Sequence, residues 1–384
     1  MSVQLPDPKT VAREEAERIR NNRDACLKWP LDRILTDSPF ANREQLIAGL
    51  DVFHKERMAK IPSAQKYPES KAWVEQTLAV DRELKQLAGL SDRDMAMLRS
   101  MGDYCRFRGF ARMTPAVEKC RVAYMPESDH GRIHFKNVDD PNTYWKPEGK
   151  PTWLFSTKGQ TLWSDGVGNG LHMDDEPAEI FPLPVRNMFR HYCDDVPSAV
   201  EFLTRYSSFW GFGNLLLHDS KKRSVAIEKS SYNFIEVFHP GPDGVSHISG
   251  MTCRDPKSPQ GRYQRKQRQK YLKQFGLNDE NCADNTFWNF CEQLEAKLAA
   301  SLQALSKPAK LDDLVRLFTR PWPEGLNKGG VRIHPKQGLL SWTLISYYVL
   351  PDEGKLHRWQ RSPLPECKYP DKPEIFTFDP VPVP

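Results

Sequence analysis

Through the first hundred residues, apolar positions recur at helical spacing among many charges. Near residue 119 they give way to short alternating runs. The stretch Thr10 to Trp29 sets Val11, Ala12, Ala16, Ile19, Ala25 and Leu27 among charged residues, which predicts a surface helix of modest amphipathicity. Pro39 and Pro62 interrupt the pattern. A second helical run covers Lys71 to Leu90. A third begins at Ser91, where Ser91 and Asp94 have capping-box spacing ahead of Met95, Met97 and Leu98. From Cys120 the period shortens. Cys120 to Met125, the turn signal Asp129-His130-Gly131, and Arg132 to Val138 predict a hairpin. Further strands are expected at Thr152 to Ser156, Gly213 to Leu217, Ser224 to Lys229, Phe234 to Phe238 and Leu339 to Leu350. Helices are expected at Val185 to Cys193, Ser198 to Tyr206, Gln264 to Phe275, Thr286 to Leu305 and Leu311 to Thr319. Strands and helices are segregated rather than alternating, which argues for an α+β fold with antiparallel sheets. From Ser362 onward prolines accumulate, and that segment reads as an extended strap.

The chain has 384 residues, 39% of them hydrophobic and 27% charged, enough apolar material for one large core or two smaller ones. A net charge of +5 is mild for this length and a poor signature for nucleic-acid binding. The most basic run, residues 262 to 275, reads as a solvated helix face. No stretch approaches the roughly 18 consecutive apolar residues of a membrane helix. The N-terminus lacks an apolar signal core, so a cytoplasmic location is the expectation. The eight cysteines are widely and irregularly spaced without a C-x-x-C pair, which argues against a zinc site and a disulfide framework. Gly166, Gly168 and Gly170 lie in WSDGVGNGLH, which lacks the lysine of a phosphate loop.

The candidate chemistry lies in CRVAYMPESDHGRIHFKNVDD, residues 120 to 140. Asp139 stands 19 positions after Cys120 (139 minus 120), preceded by Lys136 and Asn137. A hairpin between them returns Asp139 beside the residue that opens the first strand. A carboxylate there can hold a free amine at the start of the strand, and that amine can serve as base for the adjoining thiol. Nearby cations favour the thiolate, so Arg121 and Lys136 are candidates for stabilising it.

This arrangement resembles the N-terminal-nucleophile amide hydrolases and acyltransferases: the penicillin-forming acyltransferases, the bile-salt and penicillin V amidases, and the insect amide hydrolase acting on β-alanyl amines. In them a cysteine opens the first strand, and the second ends in a basic residue, Asn, any residue, Asp. Residues 181 to 206 resemble the family's proline-led Arg helix and the acidic helix after it. Residues 213 to 231 resemble its hairpin, with Asn214, Asp219 and Glu228 at matching positions. SWTLISYYVLPDEGKLHRWQRSPL resembles its last hairpin. The resemblance covers about residues 119 to 375. It implies a four-layer αββα sandwich over residues 119–384, behind a helical region, residues 1–118, serving as pro-segment. It implies cleavage between Lys119 and Cys120, with Cys120 as nucleophile and Asp139 and Asn137 as catalytic partners. Lys136, Arg121, His172 and Asp174 fall at substrate-binding or thiolate-stabilising places.

The implied substrate is a small linear amide or acyl thioester. No cofactor, metal, nucleic acid or membrane is called for, and the oligomeric state is left open. Loops at 141 to 183 and 207 to 212, with Trp145, Trp153, Trp163 and Trp210, are expected to line the pocket. The sequence departs from the family in four ways. Lys119 replaces a small residue, Arg121 replaces Thr or Ser, SHISGMTCRDP lacks the oxyanion-binding Asn, and GLHMDDEP, with His172, Asp174 and Asp175, lacks the Asn usual after the central Gly-Leu strand. The alternative expectation is therefore an uncleaved, altered scaffold acting by binding.

Overall fold

The computed structural model describes residues 7–21, 23–28, 43–60, 70–107, 120–140, 162–167, 193–205, 214–231, 234–249, 253–274, 278, 287–332, 340–362, 366 and 368–381. It is an α+β structure of two compact units. One comprises Met1–Pro115, 146–153 and 174–211, and the other the remainder.

In the first unit, α1 (Pro8–Asn21) is followed by a π-helical turn, Asp24–Lys28. Then come α2 (Arg43–Lys60), α3 (Ser70–Leu87), α4 (Asp92–Phe107) and α5 (Val196–Arg205). Val11, Ala12, Ala16 and Ile19 form the buried stripe of α1, which packs on α3. The capping box at α4 forms as its spacing predicts. Ser91 N–H donates to Asp94 at 2.9 Å and Asp94 N–H to Ser91 Oγ at 3.1 Å, satisfying two donors that the helix start leaves open. Leu46, Leu50 and Phe53 of α2 meet Ala96, Met97, Met101 and Tyr104 of α4. Gly49 allows that approach, because a Cβ there would lie 1.9 Å from the Tyr104 hydroxyl.

The second unit is built on two antiparallel sheets. Its strands are β1 (Arg121–Met125), β2 (Ile133–Asp140), β3 (Leu162–Val167), β4 (Asn214–Asp219), β5 (Ser224–Ser231), β6 (Phe234–Phe238), β7 (Ser246–Ser249), β8 (Gly329–Arg332), β9 (Leu340–Leu350), β10 (Lys355–Gln360) and β11 (Glu374–Thr377). The larger sheet runs β11-β10-β9-β2-β1-β7, with β8 also on β9; the smaller runs β3-β4-β5-β6. Its helices are α6 (Pro259–Gln274), α7 (Phe287–Ala304) and α8 (Leu311–Thr319). Strand alternation gives the large sheet two different faces. Ala123, Met125, Ile133 and Phe135 pack on Phe290, Leu294 and Leu298 of α7 and on Leu314 and Phe318 of α8. Cys120, Val122 and Tyr124 turn the other way, onto Leu216, Ala226 and Ile248 between the sheets. The described layers of this unit are therefore helix, sheet, sheet. Leu215, Leu217, Val225 and Ile227, on the opposite side of the small sheet, are buried as well.

The β1–β2 turn anchors this frame. Gly131 takes φ +76, and a Cβ there would meet Asp352 Oδ2 at 2.3 Å, so the position requires glycine. Arg132, fully buried, donates from Nε to Asp352 at 2.9 Å and from Nη1 to the Asp219 carbonyl at 3.2 Å, and from Nη2 to the Val381 carbonyl. One side chain thus joins two turns and the C-terminal strap. Asp129 accepts the Leu311 N–H at 2.8 Å and caps α8, whose preceding residue Lys310 offers no cap.

Candidate functional site

Cys120 precedes β1, between β2 and β7. Arg121 pairs with Asn137 on one side and Ser249 on the other. By that register Val138 stands opposite Cys120, and Asp139 comes one residue later. A bulge falls between Val138 and Asp139, where the pairing with β9 shifts. The hairpin therefore brings Asp139 back to the start of β1, as the spacing predicts.

The two side chains leave the sheet on opposite faces. The Cys120 sulfur is buried in the apolar layer between the sheets. Lys136, across from Val122, lies on the same face by alternation and is also buried. Asp139 points to the helix side and is fully buried. Its Oδ2 lies 2.7 Å from Arg121 Nη2 and 3.1 Å from Lys328 Nζ, and its Oδ1 accepts the Thr343 hydroxyl at 2.6 Å. Burial holds the Lys328 amine below its ordinary value. The Asp139 charge opposes that shift and the Arg121 charge adds to it. Asn137 donates from Nδ2 to the carbonyls of Phe318, at 3.1 Å, and Leu326, at 3.2 Å, and Arg121 Nη2 also donates to Leu326. Arg121 and Asn137 thus tie the β1–β2 hairpin to the end of α8, an arrangement that serves the frame directly. Lys119, His172 and Asp174 lie outside the described residues, as do Trp145, Trp153 and Trp210.

A second polar group surrounds the end of β7. Asn214 donates to the Ser249 carbonyl at 2.7 Å and accepts the Lys229 N–H at 3.2 Å. Glu228, 1% exposed, accepts the Arg254 N–H at 3.2 Å, with Arg254 Nε 3.5 Å from its other oxygen. Burial pushes the Glu228 carboxyl up to about 7, with help from Glu295 and Glu236 and against the pull of Arg254. Cys253 donates to Glu236 at 3.7 Å, and Ser258 donates to the same oxygen at 3.1 Å. Burial and the Glu228 charge push the Cys253 thiol up to about 12. Ligand atoms of Glu228, Glu236 and Cys253 lie within 4.8 Å of one another. Arg254 already supplies the cation and Ser258 the donor, so we read this group as a hydrogen-bonded network. The signal for it was the pair Asn214 and Glu228 in the β4–β5 hairpin. What sequence spacing could not supply was their partner segment after β7.

A cleft among the described residues holds about 480 Å³ and includes Met125, Lys222 and Lys307. It lies at the far end of β1 from Cys120. No helix of the described residues is long and apolar enough to cross a membrane. No protein-family model matches the sequence, and no curated protein matches it.

Proposed function

We propose that this chain is an N-terminal-nucleophile-type cysteine amidohydrolase or acyltransferase of four-layer αββα design, self-cleaving before Cys120 and acting on a linear amide or acyl thioester. The observation that carries this reading is the register at the head of β1. Cys120 is flanked by the strand bearing Lys136 on its own face and Asp139 just past a bulge. A backbone nitrogen lies in the plane of a sheet. A carboxylate arriving from the helix side can therefore hold an amine whose thiol points to the other side. Cleavage between Lys119 and Cys120 would create that amine. It would take the thiol proton, with Lys136 favouring the thiolate; the sulfur would attack the substrate carbonyl, and the carbonyl's bond to its amine or thiol would break as that group leaves with the proton, giving an acyl-Cys120 thioester. The acyl group would then pass to water or to an amine. Residues 1–118 would act as the pro-segment.

Intact-mass analysis of the purified chain tests this. Two fragments divided between Lys119 and Cys120 are expected, and Cys120→Ala should give one full-length mass. A wild-type chain that keeps its full mass, with Cys120 inert to p-nitrophenyl acetate, would overturn the reading.

One observation favours a second reading, an uncleaved scaffold acting by binding. The Cys120 sulfur sits among apolar side chains, and both Asp139 oxygens are already engaged by Arg121, Lys328 and Thr343. On that reading Asp139 is the anchor of a buried ion cluster.

A further inference from the structure

We propose that Glu228 is a proton-operated latch that holds the chain just after residues 250–252, at Arg254, near the end of β7. The latch is a property of the described side chains.

The geometry has three parts. Before the segment, Ser249 is held through its carbonyl by Asn214 at 2.7 Å and pairs with Arg121, the residue next to Cys120. After it, the Cys253 N–H donates to Gln264 of α6 at 2.9 Å, and the Arg254 N–H donates to Glu228 at 3.2 Å. The third part is the charge around Glu228. Arg254 faces it. Glu236 approaches from β6, and Glu295 from α7, where it accepts from His247 of β7 at 3.2 Å. Asp255 and the Cys253 thiol complete the surroundings.

The ionised carboxylate of Glu228 attracts both the N–H and the guanidinium of Arg254. Once protonated it keeps at most a neutral hydrogen bond, roughly half as strong. The Arg254 guanidinium then has Glu295 as its remaining carboxylate, because that group already feels the Arg254 charge. Proton uptake near neutrality, where the Glu228 carboxyl is placed at about 7, therefore loosens the tether at Arg254.

Two measurements on the full chain test this, each comparing wild type with Glu228→Gln, which keeps an acceptor but cannot ionise. The first is hydrogen exchange in peptides covering 246–258, corrected for the intrinsic pH dependence. Protection should fall several-fold in wild type from pH 8 to pH 6 and stay flat in Glu228→Gln. The second is iodoacetamide alkylation of Cys253, mapped by mass. A thiol well below its pKa should react about tenfold faster per pH unit. Ionisation of Glu228 should bend that line downward near pH 7 in wild type and leave it straight in Glu228→Gln. A straight line in wild type, or the same bend or the same loss of protection in both proteins, would overturn the latch. Neither readout requires cleavage before Cys120. Cleavage without a latch would sink only this inference, and a latch without cleavage would sink only the enzymatic reading.

Discussion

Two buried ion clusters in this molecule are mirror images in charge. In the helical unit, one cation serves two anions. Arg99 of α4 donates to Glu15 of α1 from Nη1 at 2.9 Å and from Nη2 at 3.0 Å, and to Asp81 of α3 from Nη2 at 2.7 Å. In the sandwich, one anion serves two cations, as Asp139 takes Arg121 and Lys328. The first cluster joins three helices through a guanidinium whose planar fork matches carboxylates. Burial pushes Glu15 up, but the charge and hydrogen bonds of Arg99 bring it below its ordinary value; Asp81, where burial wins, stays raised. The second cluster has a surplus of positive charge in a fully buried place, and it stands at the only strand start that carries the Cys-to-Asp spacing. Neither cluster has matched charges: the first carries an excess of anion and the second an excess of cation, and the second lies across the sheet from the Cys120 sulfur.

Removing the centre of each cluster should break the comparison most sharply. Asp139→Ala leaves two uncompensated cations in the core. It should cost about 3 to 5 kcal/mol of stability at pH 7, read from urea unfolding. A loss below about 1 kcal/mol would mean that the cluster does not hold the hairpin. Arg99→Met should follow at about 3 kcal/mol, because Asp81 loses its guanidinium partner in a buried place and Glu15 keeps only the looser pair with Arg18 at 3.6 Å. The two losses should differ in pH dependence. The Arg99→Met deficit should shrink as the pH falls through the carboxylate range, since protonation removes both carboxylate charges. The Asp139→Ala deficit should persist, because arginine stays charged. Equal pH behaviour would remove the distinction.

The frame of both clusters was legible in the sequence to different degrees. The hairpin from Cys120, strand Phe234–Phe238 and helix Leu311–Thr319 were readable because their periodicity is clean and their boundaries are marked by turn residues. The capping pair Ser91 and Asp94 was readable because it is local. Strands β3, β7, β8 and β11 were not resolved by periodicity. Three have only four residues, too few for a period, and β3, Leu-Trp-Ser-Asp-Gly-Val, does not alternate. Of the site, the return of Asp139 to the start of β1 was legible, since hairpin geometry fixes it. Its partner Lys328 was not, because 189 positions (328 minus 139) separate them and only the folded sheet brings them together. The opposite facing of Cys120 and Asp139 follows from the register, since Val138 stands opposite Cys120 and Asp139 is the next residue; the irregularity there skips a residue on β9 and leaves the alternation of β2 intact.

Glu228 extends the comparison to a buried carboxylate whose cation, Arg254, is partly exposed and outnumbered by acids. Its folded pKa of about 7 lies above the unfolded value, so the folded state binds the extra proton between those values. Stability from this group is therefore present below about pH 4.5 and lost as the pH rises through about 7. Glu228→Gln should gain on wild type by about 2 kcal/mol at pH 8 and by little at pH 4, read from urea unfolding at each pH. A constant difference across that range would show that Glu228 does not carry the proton.

The smallest effect is expected where the surplus charge itself is removed. Lys328→Met keeps much of the side-chain volume and leaves Arg121 and Asp139 as a matched pair. Burial lowers the Lys328 amine in the folded state, so this group works against folding while it is charged, and that stability is regained as the pH rises from its lowered folded value to its unfolded value near 10. What the ammonium contributes is its contact with Asp139, together with its place 5.6 Å from the Phe290 ring centre. These opposing terms should leave Lys328→Met within about 1 kcal/mol of wild type at pH 7. The substitution should also make Asp139→Ala less damaging in the double variant than in the single, by 1 kcal/mol or more, because only one stranded cation remains. A Lys328→Met loss as large as that of Asp139→Ala would mean that both cations are needed to hold the carboxylate. The sandwich cluster would then be as purely structural as the one around Arg99.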